Sequence, residues 1–184
     1  MSLSDRESGG GLLELMAVVL IITIFATSAM PLLQEQVAAR QIDSVARQFI
    51  AHAQFARGQA LTLGLTAHIA PLQGGLWDEG WLVSIQCQKS VPKITCLHRP
   101  WLMQKSIAPV YFKGGGKQFI DPHLATRGIA FNAAGAAKTA HGGFVANRLI
   151  LGHERYPHLE RQLILGSGGR WRICDPHKDA KSCS

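Results

Sequence analysis

The sequence lacks the short motifs that mark the commoner enzyme classes. It has no H-E-x-x-H pair, no G-x-S-x-G turn for a nucleophile and no glycine-rich loop suited to cradling a phosphate. Its histidines are scattered along the chain rather than spaced as metal ligands: His52, His68, His98, His123, His141, His153, His158 and His177. We therefore predict a protein that is not an enzyme and that needs no cofactor or metal.

Cysteines are few, and no two of them stand in the close C-x-x-C pair that zinc sites use. They form two couples that are local in sequence, Cys87 with Cys96 and Cys174 with Cys183. An even number suits disulfides in an oxidising compartment, and of the three pairings that four cysteines permit, the local one needs least rearrangement. A zinc site that uses His98 or His177 is the less favoured alternative.

Acidic residues are outnumbered, since 12 Asp and Glu stand against 19 Lys and Arg and the formal net charge is +7. Part of the excess lies between Trp81 and Arg127, and more lies near the end of the chain. The basic residues of that last part are Arg148, Arg155, Arg161, Arg170, Arg172, Lys178 and Lys181. A basic surface favours polyanions such as nucleic acid, lipid headgroups or acidic glycans. A basic surface that meets only solvent is the alternative that charge leaves open.

A positively charged leader is also missing, because the start of the chain carries Arg6 against Asp5 and Glu7. This argues against a cleaved secretory signal, which begins with a basic segment. The run Leu12–Leu33 is apolar except for Glu14, and its length is roughly the 20 residues that a helix needs to cross a bilayer. We therefore predict a membrane-spanning helix. A carboxylate in such a helix is energetically costly and usually functional. Two alternatives to a functional Glu14 remain: its side chain reaches to the membrane surface, or the helix is an ordinary single-span anchor.

The segment Gly9–Val19, GGGLLELMAVV, resembles the N-terminus of type IV prepilins and pseudopilins, usually G-F-T-L-I-E-L-M-V-V-I. The resemblance implies that a prepilin peptidase cuts after Gly9 and leaves Gly10 as the new N-terminus. It also implies that Glu14 is neutralised during assembly by the N-terminal amine of a neighbouring subunit. Pro31 stands where the family often kinks its long helix. The partners implied are other pilins or pseudopilins and the bacterial inner membrane, crossed once before assembly, with the globular domain periplasmic and then surface-exposed in a pilus.

Beyond Pro31 the sequence predicts more helix, now with one apolar stripe. Apolar residues recur there at steps of three and four, namely Ile42, Val45, Phe49, Ala53, Ala56 and Ala60. Gly64 is predicted to end the helix. After it the period shifts towards two, which predicts short strands. The predicted strands are Thr66–Leu72, Trp81–Ile85, Lys93–Leu97, Ile129–Phe131, Phe144–Leu151, Leu159–Leu165 and Arg170–Cys174, with a loop over Pro109–Pro122.

These elements predict an α+β, pilin-like fold in which one long N-terminal helix, transmembrane and then amphipathic, packs on antiparallel β-sheet. The chain contains no internal repeat and no linker long enough to separate two domains. The predicted organisation is a prepilin leader over 1–9, a transmembrane and assembly helix over 10–33, an amphipathic helix half over 34–64 and a globular β-rich domain over 65–184.

Further motifs extend the resemblance over about the full chain, to the GspH/FimT group of minor pseudopilins and pilins. Gln54–Ala60 resembles the helix end of that group, usually A-R-S-E-A, and Trp77 with Gly80-Trp81 resembles its W-x-x-G-W strand. Ile129–Asn132 with Gly135 resembles its F-x-P-x-G turn, and Gly169-Arg170-Trp171-Arg172 resembles its G-R-x-R near the C-terminus.

The G-R-W-R segment is the candidate binding site. In a strand, Arg170 and Arg172 would share one face and Trp171 would point to the core. Two planar guanidiniums on one face suit phosphate oxygens better than lysines would. A disulfide between Cys174 and Cys183 would hold Lys178 and Lys181 beside them.

The FimT branch associates its G-R-x-R hairpin with DNA binding in natural transformation, so the resemblance implies double-stranded DNA as partner and Gly169, Arg170 and Arg172 among its contacts. Two alternatives stay open. In the first, the chain is a GspH-like subunit of a type II secretion pseudopilus, and its basic patches contact other pseudopilins. In the second, the arginines form a solvated hairpin edge that discourages aggregation.

Overall fold

The computed structural model describes residues 11–73, 75–85, 100–116, 119, 127–138, 143, 146–166 and 168–183. The chain divides into two compact units, Met1–Val37 and Ala38–Ser184. Several predictions fall outside the described residues and stay predictions: the leader over 1–9, Gly10, the strand Lys93–Leu97, and the couple Cys87 and Cys96.

Helix α1 covers Gly11–Leu63, so one helix contains both the apolar run and the amphipathic segment. Its first part is long and apolar enough to cross a membrane, judged by length and composition. The side chains of this part are exposed, with Leu12 at 75% and Phe25 at 69%, and Glu14 lies in the first turn. The helix ends at Gly64, whose φ of 64° is the left-handed conformation that terminates helices and that glycine adopts without strain.

The second part of α1 buries one stripe of side chains at three- and four-residue steps. Its buried residues are Ala38, Ile42, Ala46, Phe49, Ala53, Ala56 and Ala60. Small alanines let the helix backbone approach the sheets closely, and the large Phe49 fills the space between them. The Phe49 ring meets Trp77, Trp81, Phe112 and Trp171 edge-on, at centroid distances of 5.3, 5.1, 5.7 and 5.5 Å.

The strands in chain order are β1 Ala67–Gln73, β2 Leu76–Ile85, β3 Leu102–Gln104, β4 Val110–Gly115, β5 Ile129–Phe131, β6 Ala137–Lys138, β7 Asn147–His153, β8 Glu160–Leu165 and β9 Trp171–Cys174. In the described part of the chain they form two antiparallel sheets. The first has the order β3-β2-β1-β5-β6 and the second β4-β7-β8-β9. The predicted α+β class, one long helix packed on antiparallel sheets, is confirmed.

Local predictions differ from the structure in several places, among them β2, which begins at Leu76 rather than at the predicted Trp81. The loop predicted over Pro109–Pro122 is wrong in its first half, because β4 occupies Val110–Gly115 and pairs with β7. Valine and aromatic residues favour strands, and here they outweigh the glycines that follow them. Strands β3 and β6 are missing from the prediction because segments of three and two residues display almost no period, and neither falls within a motif as the equally short β5 does.

Candidate nucleic-acid interface

The G-R-W-R segment begins in the turn that joins β8 to β9. The Gly166 amide donates to the Arg170 carbonyl at 2.9 Å, and the Gly169 amide donates to the Gly166 carbonyl at 2.9 Å. Gly169 has a φ of 75°, and a Cβ on it would lie 2.7 Å from the Gly135 carbonyl oxygen. Both the backbone conformation and the close approach therefore require glycine at this position.

A second turn, between β5 and β6, lies against the first. The Asn132 side-chain oxygen accepts hydrogen bonds from the Ala134 and Ala136 amides at 3.1 and 2.9 Å, so this asparagine shapes the turn. The Gly135 carbonyl accepts a hydrogen bond from Nε of Arg57, near the end of α1, at 2.7 Å. The helix end and the two turns, which are far apart in sequence, thus meet around Gly135.

The hairpin exposes its arginines and packs its half-buried tryptophan against the core. Arg170 and Arg172 are exposed, whereas Trp171 packs against Phe49 and Phe119 at centroid distances of 5.5 and 6.2 Å. The two-residue period of the strand directs Arg172 to the face opposite the core contact of Trp171, and Arg170 lies in the turn just before the strand. Arg170 at the start of β9 and Arg172 on its exposed face thus present two guanidiniums.

A third arginine shares that face, and the sequence analysis did not single it out. Ile164 on β8 is paired with Arg148 on β7 and with Arg172 on β9. Residues directly opposite one another in a sheet point to the same face, and strands are about 4.8 Å apart, so Arg148 and Arg172 stand about 10 Å apart on it. The Arg148 Nη1 also donates to Oε1 of Gln162 at 3.0 Å. Only the strand register reveals this neighbour.

The loop after β9 is held by covalent and ionic bonds. Cys174 and Cys183 form a disulfide, and Ala180–Cys183 is a 3-10 helix. Asp175 accepts a hydrogen bond from the His177 amide at 3.0 Å and pairs with Arg161. Because both cysteines are in the disulfide, neither supplies a thiolate for a zinc site with His177.

The lysines of this loop, Lys178 and Lys181, are exposed. They follow the strand that presents Arg172, within a loop that the disulfide closes. The exposed cations of the region are therefore held on an ordered framework, which lowers the entropy lost when an anion binds.

Other titratable groups serve the scaffold. Burial lowers the pKa of His52, and its Nδ1 accepts a hydrogen bond from Nε1 of Trp81 at 3.0 Å. Burial also lowers the pKa of His153, whose Nε2 lies 3.0 Å from Oε1 of Gln41. Among the residues that the structure describes, no group of three or more His, Cys, Asp or Glu side chains could hold a metal ion.

Comparison with known proteins gives structural matches only. No family model matches the chain, and no curated protein matches it. The chain is similar to the type IV minor pilin FimU of Pseudomonas aeruginosa strain PAO1 in two crystal forms. The first match has 16% identity and a TM-score of 0.55, and it covers 76% of this chain and 92% of FimU. The second has 17% identity and a TM-score of 0.53, and it covers 74% and 94%.

A weaker match is the minor pseudopilin EpsH from the Type 2 Secretion System of Vibrio cholerae. It has 10% identity and a TM-score of 0.49, and it covers 75% of this chain and 99% of EpsH. The two FimU matches show that this chain has the fold of a type IV minor pilin.

Proposed function

We propose that this chain is a non-enzymatic minor pilin of FimT type. The apolar first part of α1 anchors it in the bacterial inner membrane, with the β-rich unit in the periplasm. Cleavage after Gly9 by a prepilin peptidase then allows assembly with other pilins. The minor-pilin fold, the exposed apolar helix and the position of Glu14 in its first turn support this role.

We further propose that the β8–β9 hairpin binds double-stranded DNA without sequence preference, for DNA uptake in natural transformation. One observation carries this proposal: Arg170, in the turn just before β9, and Arg172, on β9, are exposed while Trp171 between them packs against the core. Guanidiniums held this way bind phosphate oxygens as planar forks, and phosphate contacts carry no sequence information. Lys178 and Lys181 add charge beside them.

The alternative is a GspH-like pseudopilin that acts structurally in a type II secretion pseudopilus. A separate observation favours it. Phe55 and Trp101 form an exposed edge-on pair with a centroid distance of 6.1 Å, and Met103 near them is 52% exposed. Exposed apolar clusters of this kind fit protein partners. Capture of other pseudopilins together with an absence of DNA binding at low salt would support this alternative.

The test of DNA binding uses the full chain in detergent and the fluorescence anisotropy of labelled duplexes. We expect duplexes of unrelated sequence to bind equally well, with affinity falling as salt rises. Arg170→Ala/Arg172→Ala should weaken binding about tenfold per arginine, since a hydrogen bond to a charged group contributes about 1.5 kcal/mol or more.

The matched control is Arg40→Ala/Arg47→Ala, which removes the same charge from exposed positions on α1. We expect the control variant to bind nearly as tightly as the wild type. If the hairpin variant also binds as the wild type does, the β8–β9 hairpin is not the DNA-binding site.

A further inference from the structure

Arg57, on α1, lies directly against the turn of the candidate hairpin. A Cβ placed on Gly169 would lie 3.0 Å from Nε and 3.4 Å from Cδ of Arg57. The side chain of Arg57 therefore touches the residue that precedes Arg170. Gly169 can accept this neighbour because it has no side chain of its own.

Among the described residues, Arg57 uses one of its donors in a hydrogen bond. A guanidinium has five N–H donors, and Arg57 commits its Nε to the Gly135 carbonyl oxygen at 2.7 Å. In the portion of the chain that the structure describes, no acidic side chain pairs with Arg57 and its Nη groups have no hydrogen-bond acceptor. The residue is half-buried, so the guanidinium is held in place and still reaches solvent.

We propose that Arg57 supplies a further guanidinium of the DNA-binding surface. Its Nε fixes the group against the two turns through Gly135, and its Nη donors bind a phosphate oxygen of the duplex beside the contacts of Arg170. This inference rests on the proposed DNA-binding function of the hairpin. Because Nε is already bonded, the side chain loses little further freedom when the phosphate binds.

The chemistry separates this role from a structural one. A group that only positions the turn needs the Nε bond, whereas a phosphate contact needs the charge. Each phosphate contact on B-DNA contributes about 0.9 to the slope of log affinity against log salt. The loss of one contact is therefore read from that slope, which a purely structural role would not change by this amount.

The experiment measures the salt dependence of duplex affinity for the full chain in detergent, with Arg57→Gln as the main variant. Its amide can still donate towards Gly135, but the charge is gone. We expect the slope to fall by about 0.9 and the affinity to fall about tenfold at fixed salt. The matched control is Arg47→Gln, the same change on an exposed part of the same helix about 15 Å away, and it should keep the wild-type slope.

A second measurement needs no variant. Phenylglyoxal modifies accessible arginines, and mass spectrometry of the wild-type chain with and without duplex reports their protection. We expect DNA to protect Arg57 together with Arg170 and Arg172, while Arg47 stays reactive.

The outcomes separate the inference from the function on which it rests. An Arg57→Gln slope equal to that of the wild type, or an Arg57 that DNA leaves reactive while Arg170 is protected, overturns the inference alone. A wild-type chain that binds no DNA overturns the inference and the proposed function together.

Discussion

Arg161 and Asp175 form an ion pair in which Nη1 lies 2.8 Å from Oδ2, so β8 is bonded directly to the disulfide loop that follows β9. The same guanidinium places Nε 2.7 Å from Oδ1 of Asp43 on α1. One buried arginine thereby connects the helix, the second sheet and the loop that presents Lys178 and Lys181.

Replacement of Arg161 by methionine should destabilise the protein. The change leaves Asp175, which is 16% exposed, and Asp43, which is 38% exposed, without their ionic partner, so we expect a loss of about 2 kcal/mol. Urea denaturation measures the loss as a lower midpoint. Lys113→Met is the control, because the Lys113–Glu160 pair is 3.4 Å long with Lys113 46% exposed, and we expect a loss below about 1 kcal/mol. Equal losses in the two variants would contradict the linking role of Arg161.

Replacement of Gly169 by alanine should distort the hairpin turn. The positive φ and the 2.7 Å approach to Gly135 both oppose a Cβ, so we expect a loss of about 1–3 kcal/mol in the free energy of unfolding. Gly168→Ala is the matched control, because a Cβ on Gly168 meets nothing within 4 Å. Thermal or urea unfolding compares the two. A Gly169→Ala variant as stable as Gly168→Ala would show that the turn accommodates a Cβ at residue 169 with no loss in the free energy of unfolding.

The stability should depend on pH through His52, which is half-buried, and His153, which is buried. The pKa of His52 is lowered by burial, and that of His153 by burial and then by Arg155, with Glu154 opposing. Because the folded pKa values lie below the ordinary 6.5, the unfolded chain binds these protons first as the pH falls. The contribution of the neutral histidines is complete above pH 6.5 and is lost as the pH falls through 6.5 towards the folded pKa values. We expect the urea midpoint to fall over this window, and to fall less in His52→Gln/His153→Gln.

Loss of the disulfide loop should weaken both stability and DNA binding. A bond that closes a loop with a sequence separation of 9 contributes about 2–3 kcal/mol by chain entropy. We expect Cys174→Ser/Cys183→Ser to lose about that much and to bind DNA less tightly, because Lys178 and Lys181 are no longer held beside the arginines. Peptide mapping under non-reducing conditions checks both this bond and the predicted pairing of Cys87 with Cys96.

Processing after Gly9 can be read from the intact mass of the chain. After expression with a prepilin peptidase, we expect Gly10 to be the first residue, and we expect Gly9→Val to block the cut. Gly11→Thr is the control, since it installs the residue that prepilins usually carry at that place. A wild-type chain that keeps Met1 would contradict the prepilin assignment.

The sequence predicts those parts of the fold that depend on local period. The three- and four-residue steps from Ile42 to Ala60 are a property of one helix, and they identify the stripe that is buried. Strand β4 escapes prediction because its existence depends on pairing with β7, a strand distant in the chain. The glycines in and around Val110–Gly115 are typical of a loop, so the sequence alone does not predict that pairing.

The residues of the candidate site likewise fall into those that the sequence predicts and those that only the folded structure reveals. Arg170 and Arg172 flank Trp171 in one short motif, so the local sequence alone identifies this exposed pair at the start of β9. Arg148 joins them through the register of β7, β8 and β9, and Arg57 joins them through the contact of two turns. Register and turn contacts arise from packing over the whole unit, which no short motif encodes.

The position of Phe49 also bears on how the unit Ala38–Ser184 unfolds. Its ring touches Trp77 and Trp81 of the first sheet and Phe112 and Trp171 of the second. Neither sheet can separate from α1 without uncovering the ring that the other sheet also covers. We therefore expect the two sheets to unfold in one cooperative transition, so that β9, which bears Arg172, is stabilised by the packing of the first sheet as well as by that of its own.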